Sequence, residues 1–223
     1  MRGAFRPCSS WPMPDRDTPG GVVTESFRQV RAPLVNKLDA EGLRTLLILA
    51  GMPGSGGTTV AVNLALACAG ADERVLLIDA NFRRPAAHRV LGIGEQVGLA
   101  DCLAGQTTLD AAVRPSSTPN LSVLTAGSAT NRMVPERLSS EGLGRLLAEA
   151  AAKYERVFID APPAIVSGDG LAIANRCDAV VLIVRAFNEK RGLVNRIRTQ
   201  LGNTRAELIG VVVNGVKASA GGY

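Results

Sequence analysis

Residues Gly51-Met52-Pro53-Gly54-Ser55-Gly56-Gly57-Thr58-Thr59 have the types and spacing that hold phosphate. They follow the apolar run Thr45 to Ala50 and lead into an Ala/Leu-rich stretch, which is the setting of a strand, a turn and a helix. The spacing matches the phosphate-loop pattern G-x-x-x-x-G-K-[ST], except that Gly57 stands where the pattern has lysine. Pro53, Gly54, Ser55, Gly56, Gly57, Thr58 and Thr59 are therefore the candidate cradle. The N–H groups from Gly54 to Thr58 can face phosphate oxygens, the helix start adds its positive dipole end, and Thr58 offers a hydroxyl to Mg²⁺. A lysine ammonium about 4 Å from a phosphate oxygen is worth roughly 4 kcal/mol at an effective dielectric near 20. Its absence weighs on phosphoryl transfer more than on binding, because transfer must stabilise charge as the bond breaks. Taken alone, the segment also reads as a Gly-rich turn with no ligand.

Two acids strengthen the ligand reading. Val75-Leu76-Leu77-Ile78 runs into Asp79-Ala80-Asn81-Phe82-Arg83-Arg84-Pro85, and Val157-Phe158-Ile159 runs into Asp160-Ala161-Pro162-Pro163. Each places a carboxylate at the carboxyl edge of a strand, where ligands of parallel sheets bind. The order of loop, first acid and second acid points to Mg-nucleotide chemistry. Arg83 and Arg84 are candidates to reach the phosphates in place of the lysine, and His88 reads as a packing or capping residue.

Strands expected at Thr45–Ala50, Arg74–Ile78, Leu121–Leu124, Arg156–Ile159, Ala179–Val184 and Leu208–Val213 must position these groups. Helices are expected at Thr24–Leu38, with Thr24 as N-cap, and at Thr58–Ala69, Ala86–Leu91, Ser140–Lys153 and Asn188–Leu201. Strands alternating with helices imply right-handed βαβ units, and hence an α/β fold: a phosphate-loop NTPase-type parallel sheet sandwiched between helices. The 223 residues, 46% hydrophobic and 4% aromatic, suit one such domain. The expected division is a disordered leader over residues 1–22, the domain over 23–216 and a flexible tail over 217–223.

The net charge of +5 is scattered, which does not indicate nucleic-acid binding. Cys8, Cys68, Cys102 and Cys177 form no zinc-type spacing and read as reduced cytosolic thiols, Cys68 as a small buried residue. No apolar stretch approaches the ~20 residues of a membrane span, so the reading is a cytoplasmic protein that reaches the membrane only through a partner.

The chain resembles the bacterial tyrosine kinases of capsular and exopolysaccharide synthesis, a branch of the deviant-Walker phosphate-loop ATPases. The resemblance covers about Glu25 to Val216. It is carried by D-A-N-F-R-R-P at Asp79 to Pro85, G-L-A-D-C-L-A-G at Gly98 to Gly105 and N-L-S-V-L-T-A-G at Asn120 to Gly127. Pro135-Glu136-Arg137-Leu138, I-D-A-P-P at Ile159 to Pro163 and V-V-V-N-G at Val211 to Gly215 complete it. It implies ATP and Mg²⁺ as cofactors, with Asp79, Asn81 and Asp160 in catalytic positions and Thr58, Asp79 and Asp160 around the metal. Asn81 replaces a second Asp of the family pattern. Asn214 takes the position of a purine contact, and equally reads as a strand-end residue capping its own turn.

Glu25, Arg28 and Arg31 reproduce the family's E-x-x-R-x-x-R signature, which implies a homo-oligomeric ring; as bare sequence they form a solvated helix with i,i+3 pairing. The family's C-terminal tyrosine cluster is reduced to Tyr223, the other tyrosine being Tyr154 before the second acidic strand. The lysine, the second acid and the acceptors are all lost from one activity. The leading reading is a degenerate kinase homologue that regulates or assembles polysaccharide synthesis beside a membrane-anchored chain-length co-polymerase. An active ATP-dependent protein tyrosine autokinase and a partitioning ATPase are the alternatives.

Overall fold

The computed structural model describes residues 22–94, 97–133, 135–187 and 191–216. The expected leader up to residue 21, with Cys8 and Trp11, and the expected tail with Tyr223 lie outside the described residues. In chain order the elements are α1 (Val22–Glu41), β1 (Thr45–Ala50), α2 (Gly57–Ala69), β2 (Val75–Asp79), α3 (Ala87–Leu91), α4 (Leu99–Leu103) and α5 (Leu109–Ala112). There follow β3 (Arg114–Pro115), β4 (Leu121–Leu124), α6 (Ala129–Arg132), a 3₁₀ turn (Pro135–Ser139), α7 (Glu141–Lys153) and β5 (Arg156–Asp160). The chain continues through α8 (Asp169–Ala174), β6 (Ala179–Arg185), α9 (Arg191–Leu201) and β7 (Glu207–Asn214).

The strands form one sheet in the order β3-β4-β2-β5-β1-β6-β7. Every pairing is parallel except that of β3 with β4. Side chains alternate across a strand, and both faces of this sheet are covered, so the central strands are continuous apolar runs. Leu46, Ile48 and Ala50 of β1 join Leu34 and Leu38 of α1 and Val60, Leu64 and Cys68 of α2. Leu47 and Leu49 face the other way, into a core shared with Leu143 and Leu147 of α7, Ile173 of α8 and Ile197 of α9. Cys68 is fully buried, as its sequence setting implied.

The expected fold class is the one observed, with differences at element ends. Helix α1 is described from Val22, so Thr24 sits inside its first turn rather than capping it. Strand β2 starts at Val75, and both it and β5 run on to include their terminal Asp. Residues 188–190 of the expected last helix lie outside the described residues, and α9 is seen from Arg191. The short helices α4, α5, α6 and α8 and strand β3 were not expected, because at two to six residues they show no period.

One of these short elements explains the G-L-A-D segment. Asp101 in α4 accepts the N–H groups of Gly98 and Ser128, the Ser128 hydroxyl at 2.6 Å and the Asn131 amide at 2.7 Å. Burial pushes its carboxyl up, but these donors outweigh burial and hold it down at about 2. A Cβ on Gly98 would come within 2.2 Å of the Thr125 carbonyl, and one on Gly127 within 2.5 Å of Asp101 Oδ2. Both glycines are thus set by this close approach, which fastens the end of β4 and α6 beside the acidic edge.

Helix α1 is tied to the body by charge. Arg31 pairs with Glu73, whose Oε2 lies 2.9 Å from Arg156 Nε, and Arg156 also pairs with Asp39. Lys37 bridges Glu41 and Glu207. Glu25 and Arg28 face solvent, 3.8 Å apart, as the i,i+3 pair expected of a bare helix. The three signature residues therefore divide: Arg31 is engaged within its own chain, while Glu25 and Arg28 point outward. Replacing Arg31 with Ala leaves Glu73 half-paired in a mostly buried place and should cost about 2 kcal/mol in urea denaturation. Arg28→Ala should stay within about 0.5 kcal/mol. Equal losses would contradict this division.

Candidate functional site

Strand order builds the site. Strand β5 lies between β1 and β2, so the loop leaving β1 and the acids ending β5 and β2 meet at the carboxyl edge. The loop is anchored at its start, where Gly51 N–H donates to the Ile183 carbonyl at 2.9 Å. Gly54 and Gly56 adopt φ of 83° and 92°, left-handed values that favour glycine. A Cβ on Gly56 would also stand 2.1 Å from Asn214 Nδ2. Ser55 is buried, Pro53 and Gly54 are exposed, and Gly57 opens α2. The Thr59 carbonyl accepts from the Asn63 amide one turn on.

Asn214 reaches this loop from the end of β7. Its Nδ2 donates to the Ser55 carbonyl at 2.9 Å, and its Oδ1 accepts from Gly215 N–H at 2.9 Å. The amide therefore caps its own turn and braces the loop together. Arg185, at the end of β6, braces the neighbouring carbonyl, with Nη1 donating to Gly54 O at 2.8 Å.

Asp79 and Asp160 are register partners on adjacent strands, with 0% and 1% of their surface exposed. Paired residues of parallel strands point to the same face, so the two carboxyl groups stand side by side, on the α2 face. Thr58 Oγ donates to Asp160 Oδ2 at 2.6 Å, while Asp160 Oδ1 is buried without a hydrogen-bond partner. Asp79 is more heavily bonded: Oδ1 accepts from Asn81 N–H, and Oδ2 from the N–H groups of Ala86 and Ala87. Burial pushes Asp79 up to about 6, against the pull of those three N–H groups and the charge of Arg132. Asp160 is raised well above the usual carboxylate range, first by burial and then by repulsion from Asp79, with the Thr58 hydroxyl opposing.

The structure brings Thr58, Asp79 and Asp160 together. Asn81 is turned elsewhere: its Oδ1 accepts from Arg84 N–H and closes its own turn. Arg83 is also directed away, through an ion pair with Asp169 at 3.0 Å. His88 is buried on α3, in keeping with a packing role. Sequence reasoning missed Arg132 and Arg185. Arg132 lies in a four-residue helix without periodicity; its Nη1 donates to the Phe82 carbonyl at 3.4 Å. Arg185 is a charged residue closing an apolar strand, a signal available in the sequence.

The residues fit a metal-bound nucleotide. A buried acceptor with no donor, Asp160 Oδ1, beside a threonine hydroxyl offers two hard oxygen ligands. Asp79 would serve the cation by charge, its oxygens being held by the backbone of residues 81–87. No cluster of three or more His, Cys, Asp or Glu residues that could hold a metal alone occurs among the described residues, so a cation there would rely on phosphate oxygens.

Fold and loop together define a protein of the phosphate-loop NTPase type with a mainly parallel sheet, and residues 44–200 match the family described as "AAA domain". The chain is 30% identical over 201 residues to the tyrosine-protein kinase YwqD of Bacillus subtilis, covering 90% of this chain and 84% of that protein. It is 24% identical to the succinoglycan biosynthesis transport protein ExoP of Rhizobium meliloti, covering 89% of this chain but 25% of that protein. The kinase domain of Escherichia coli tyrosine kinase ETK superposes with a TM-score of 0.86 at 25% identity, over 98% of this chain and 86% of that one. The chain belongs to the bacterial tyrosine-kinase family of phosphate-loop proteins.

The carboxyl pair has a measurable consequence. Both groups sit above their unfolded values, so their contribution to stability is complete below about pH 4 and is lost as pH rises through their raised values, which for Asp79 is about 6. Asp160→Asn removes one of the two charges and can keep an acceptor for Thr58. In metal-free buffer the variant should match wild type near pH 4 and gain about 2 kcal/mol over it by pH 8. Thermal denaturation across that range checks this; a difference independent of pH would contradict it.

Proposed function

We propose that this chain is a nucleotide-binding, catalytically degenerate member of the tyrosine-kinase family that acts by assembly and regulation in exopolysaccharide synthesis. The observation that carries this reading is Gly57 as the first residue of α2, directly ahead of a Thr58–Asp160 pair that is intact. The parts that hold a metal-nucleotide are kept, and the cation that stabilises a transferring phosphoryl group is not. Asn81, directed into its own turn, adds no second acid at the reacting end. Tyr154, ahead of β5, is partly buried against the core and makes a poor phosphoryl acceptor.

In this reading ATP and Mg²⁺ bind through Gly54 to Thr58, Thr58 and Asp160, as the loop geometry supports. The partner is the cytosolic part of a membrane-anchored polysaccharide co-polymerase, which would recruit the chain to the inner face of the membrane. Among the described residues no helix is long and apolar enough to cross a membrane. The relative named for succinoglycan transport supports the polysaccharide setting. Self-association uses the outward pair Glu25 and Arg28, with Arg31 holding the helix that presents them. Arginine–carboxylate contacts repeated at every boundary can close a ring.

Purified chain incubated with Mg-ATP should yield no phosphotyrosine by mass spectrometry; phosphorylated Tyr223 or Tyr154 would establish an active kinase instead. At position 57 a Cβ would lie 3.1 Å from Ala50 Cβ and 3.8 Å from Asp160 Oδ1, so Gly57→Lys fits after a shift of a few tenths of an ångström. It should tighten ATP binding by a few kcal/mol at most, read by calorimetry. For assembly, Arg28→Ala should abolish oligomers in sedimentation while circular dichroism stays unchanged. A wild type that is monomeric at tens of micromolar would remove the ring from this account.

A further inference from the structure

At the amino edge of the sheet, the end away from the phosphate loop, helix α1 does not close fully onto the strands. A cavity of about 500 Å³ remains there, lined by Arg31 and Asp39 of α1, Arg44 ahead of β1, Glu73 ahead of β2, and Glu155 and Arg156 at the start of β5. That volume suits a small molecule. Beside the charged groups, Val35, Leu38 and Leu43 give the same cavity an apolar wall.

The charges on the wall do not cancel. Arg31 and Arg156 converge on Glu73, Arg156 through Nε at 2.9 Å from Oε2, and Arg156 also takes Asp39. These ion pairs place both guanidinium groups among the lining residues. Glu155 is drawn to Arg74, which does not line the cavity, at 3.6 Å. Three lining arginines therefore share two carboxylates, and one positive charge is left over. Among the described residues Arg44 is the lining arginine without a carboxylate; its Nη1 donates to the neutral Ala151 carbonyl at 3.2 Å. Arg31 Nε is buried with no hydrogen-bond acceptor, so the wall is short of acceptors as well as of negative charge. Asp39 is exposed, with 58% of its side-chain surface open, so Arg156 can exchange it for an incoming oxyanion.

We propose that this cavity is a second ligand site, for a small organic anion. Its head is a carboxylate or phosphate, the two groups whose geometry a guanidinium fork matches, and its apolar body lies against Val35, Leu38 and Leu43. The site stands apart from the nucleotide-site reading, because it contains no residue of the phosphate loop or of the carboxyl pair. Arg31 and Asp39 belong to α1, while Arg44 and Arg156 belong to the sheet edge, so a bound anion fastens that helix to the strands.

The test is an amide NMR titration of the full, isotope-labelled chain with benzoate and with phenyl phosphate, using benzyl alcohol as the neutral control. Both anions should give saturable shifts in residues 31–44 and 155–156, and the alcohol should give none there. Arg44→Gln, a change at an exposed side chain, should weaken both anions by roughly tenfold, and added salt should narrow the difference. Asp39→Asn removes the competing carboxylate and should tighten both. Shifts confined to residues 51–59 would place the anions on the phosphate loop and overturn the proposal. Unchanged binding by Arg44→Gln, or benzyl alcohol moving the same amides as strongly as the anions, would overturn it too, and so would the absence of any saturable shift.

Discussion

Two carboxyl groups buried side by side with little compensating charge set the terms for this molecule. Asp79 and Asp160 occupy paired positions on β2 and β5 at the sheet edge, and on Asp79 burial outweighs both the backbone N–H groups and the charge of Arg132. Burying such a pair disfavours ionisation of both, a cost that only another source of positive charge can lift. The surroundings are arranged around that cost. Three backbone N–H groups converge on Asp79 from residues 81–87, Thr58 bonds Asp160, and the remaining Asp160 oxygen has no protein donor. A divalent cation carried in with phosphate answers this arrangement directly, which is why a site without its lysine still reads as a nucleotide site.

The strands and the loop were legible because their signals are local. Apolar runs buried on both faces identify β1, β2, β5 and β6, and the glycine spacing identifies the turn. The acids were legible as strand ends, and the parallel order placed them together. What stayed hidden depends on contacts between distant segments. Nothing near Asn81 in sequence says that its amide closes onto Arg84 N–H, or that Arg83 turns to Asp169, which is 86 residues away. Asp101 sat in a segment marked by resemblance alone. Its part as acceptor for Gly98, Ser128 and Asn131 required the end of β4 to be brought against α4.

Helix α1 shows the same limit in a different form. Its signature residues looked equivalent at a spacing of three, yet Arg31 is drawn to Glu73, a residue between α2 and β2, while Glu25 and Arg28 remain on the surface. One helix thus combines an intrachain anchor and an outward pair. Family membership extends over the phosphate loop, both acids and this helix, so loss of the lysine falls within an otherwise coherent framework. The carbonyl-bracing groups at the ends of β6 and β7 join the sheet to the loop, and they connect the fold's stability to whatever the loop holds.

The central claim is that the loop and the carboxyl pair hold a metal-nucleotide although Gly57 provides no charge. The most direct measurement is a crystal structure of the full chain grown with Mg²⁺ and ADP. The account predicts phosphate oxygens within hydrogen-bond reach of the N–H groups of residues 54–58, with the Thr58 hydroxyl released from Asp160 toward the cation. A loop that contains no phosphate at saturating ADP, with Thr58 still bonded to Asp160, would contradict it.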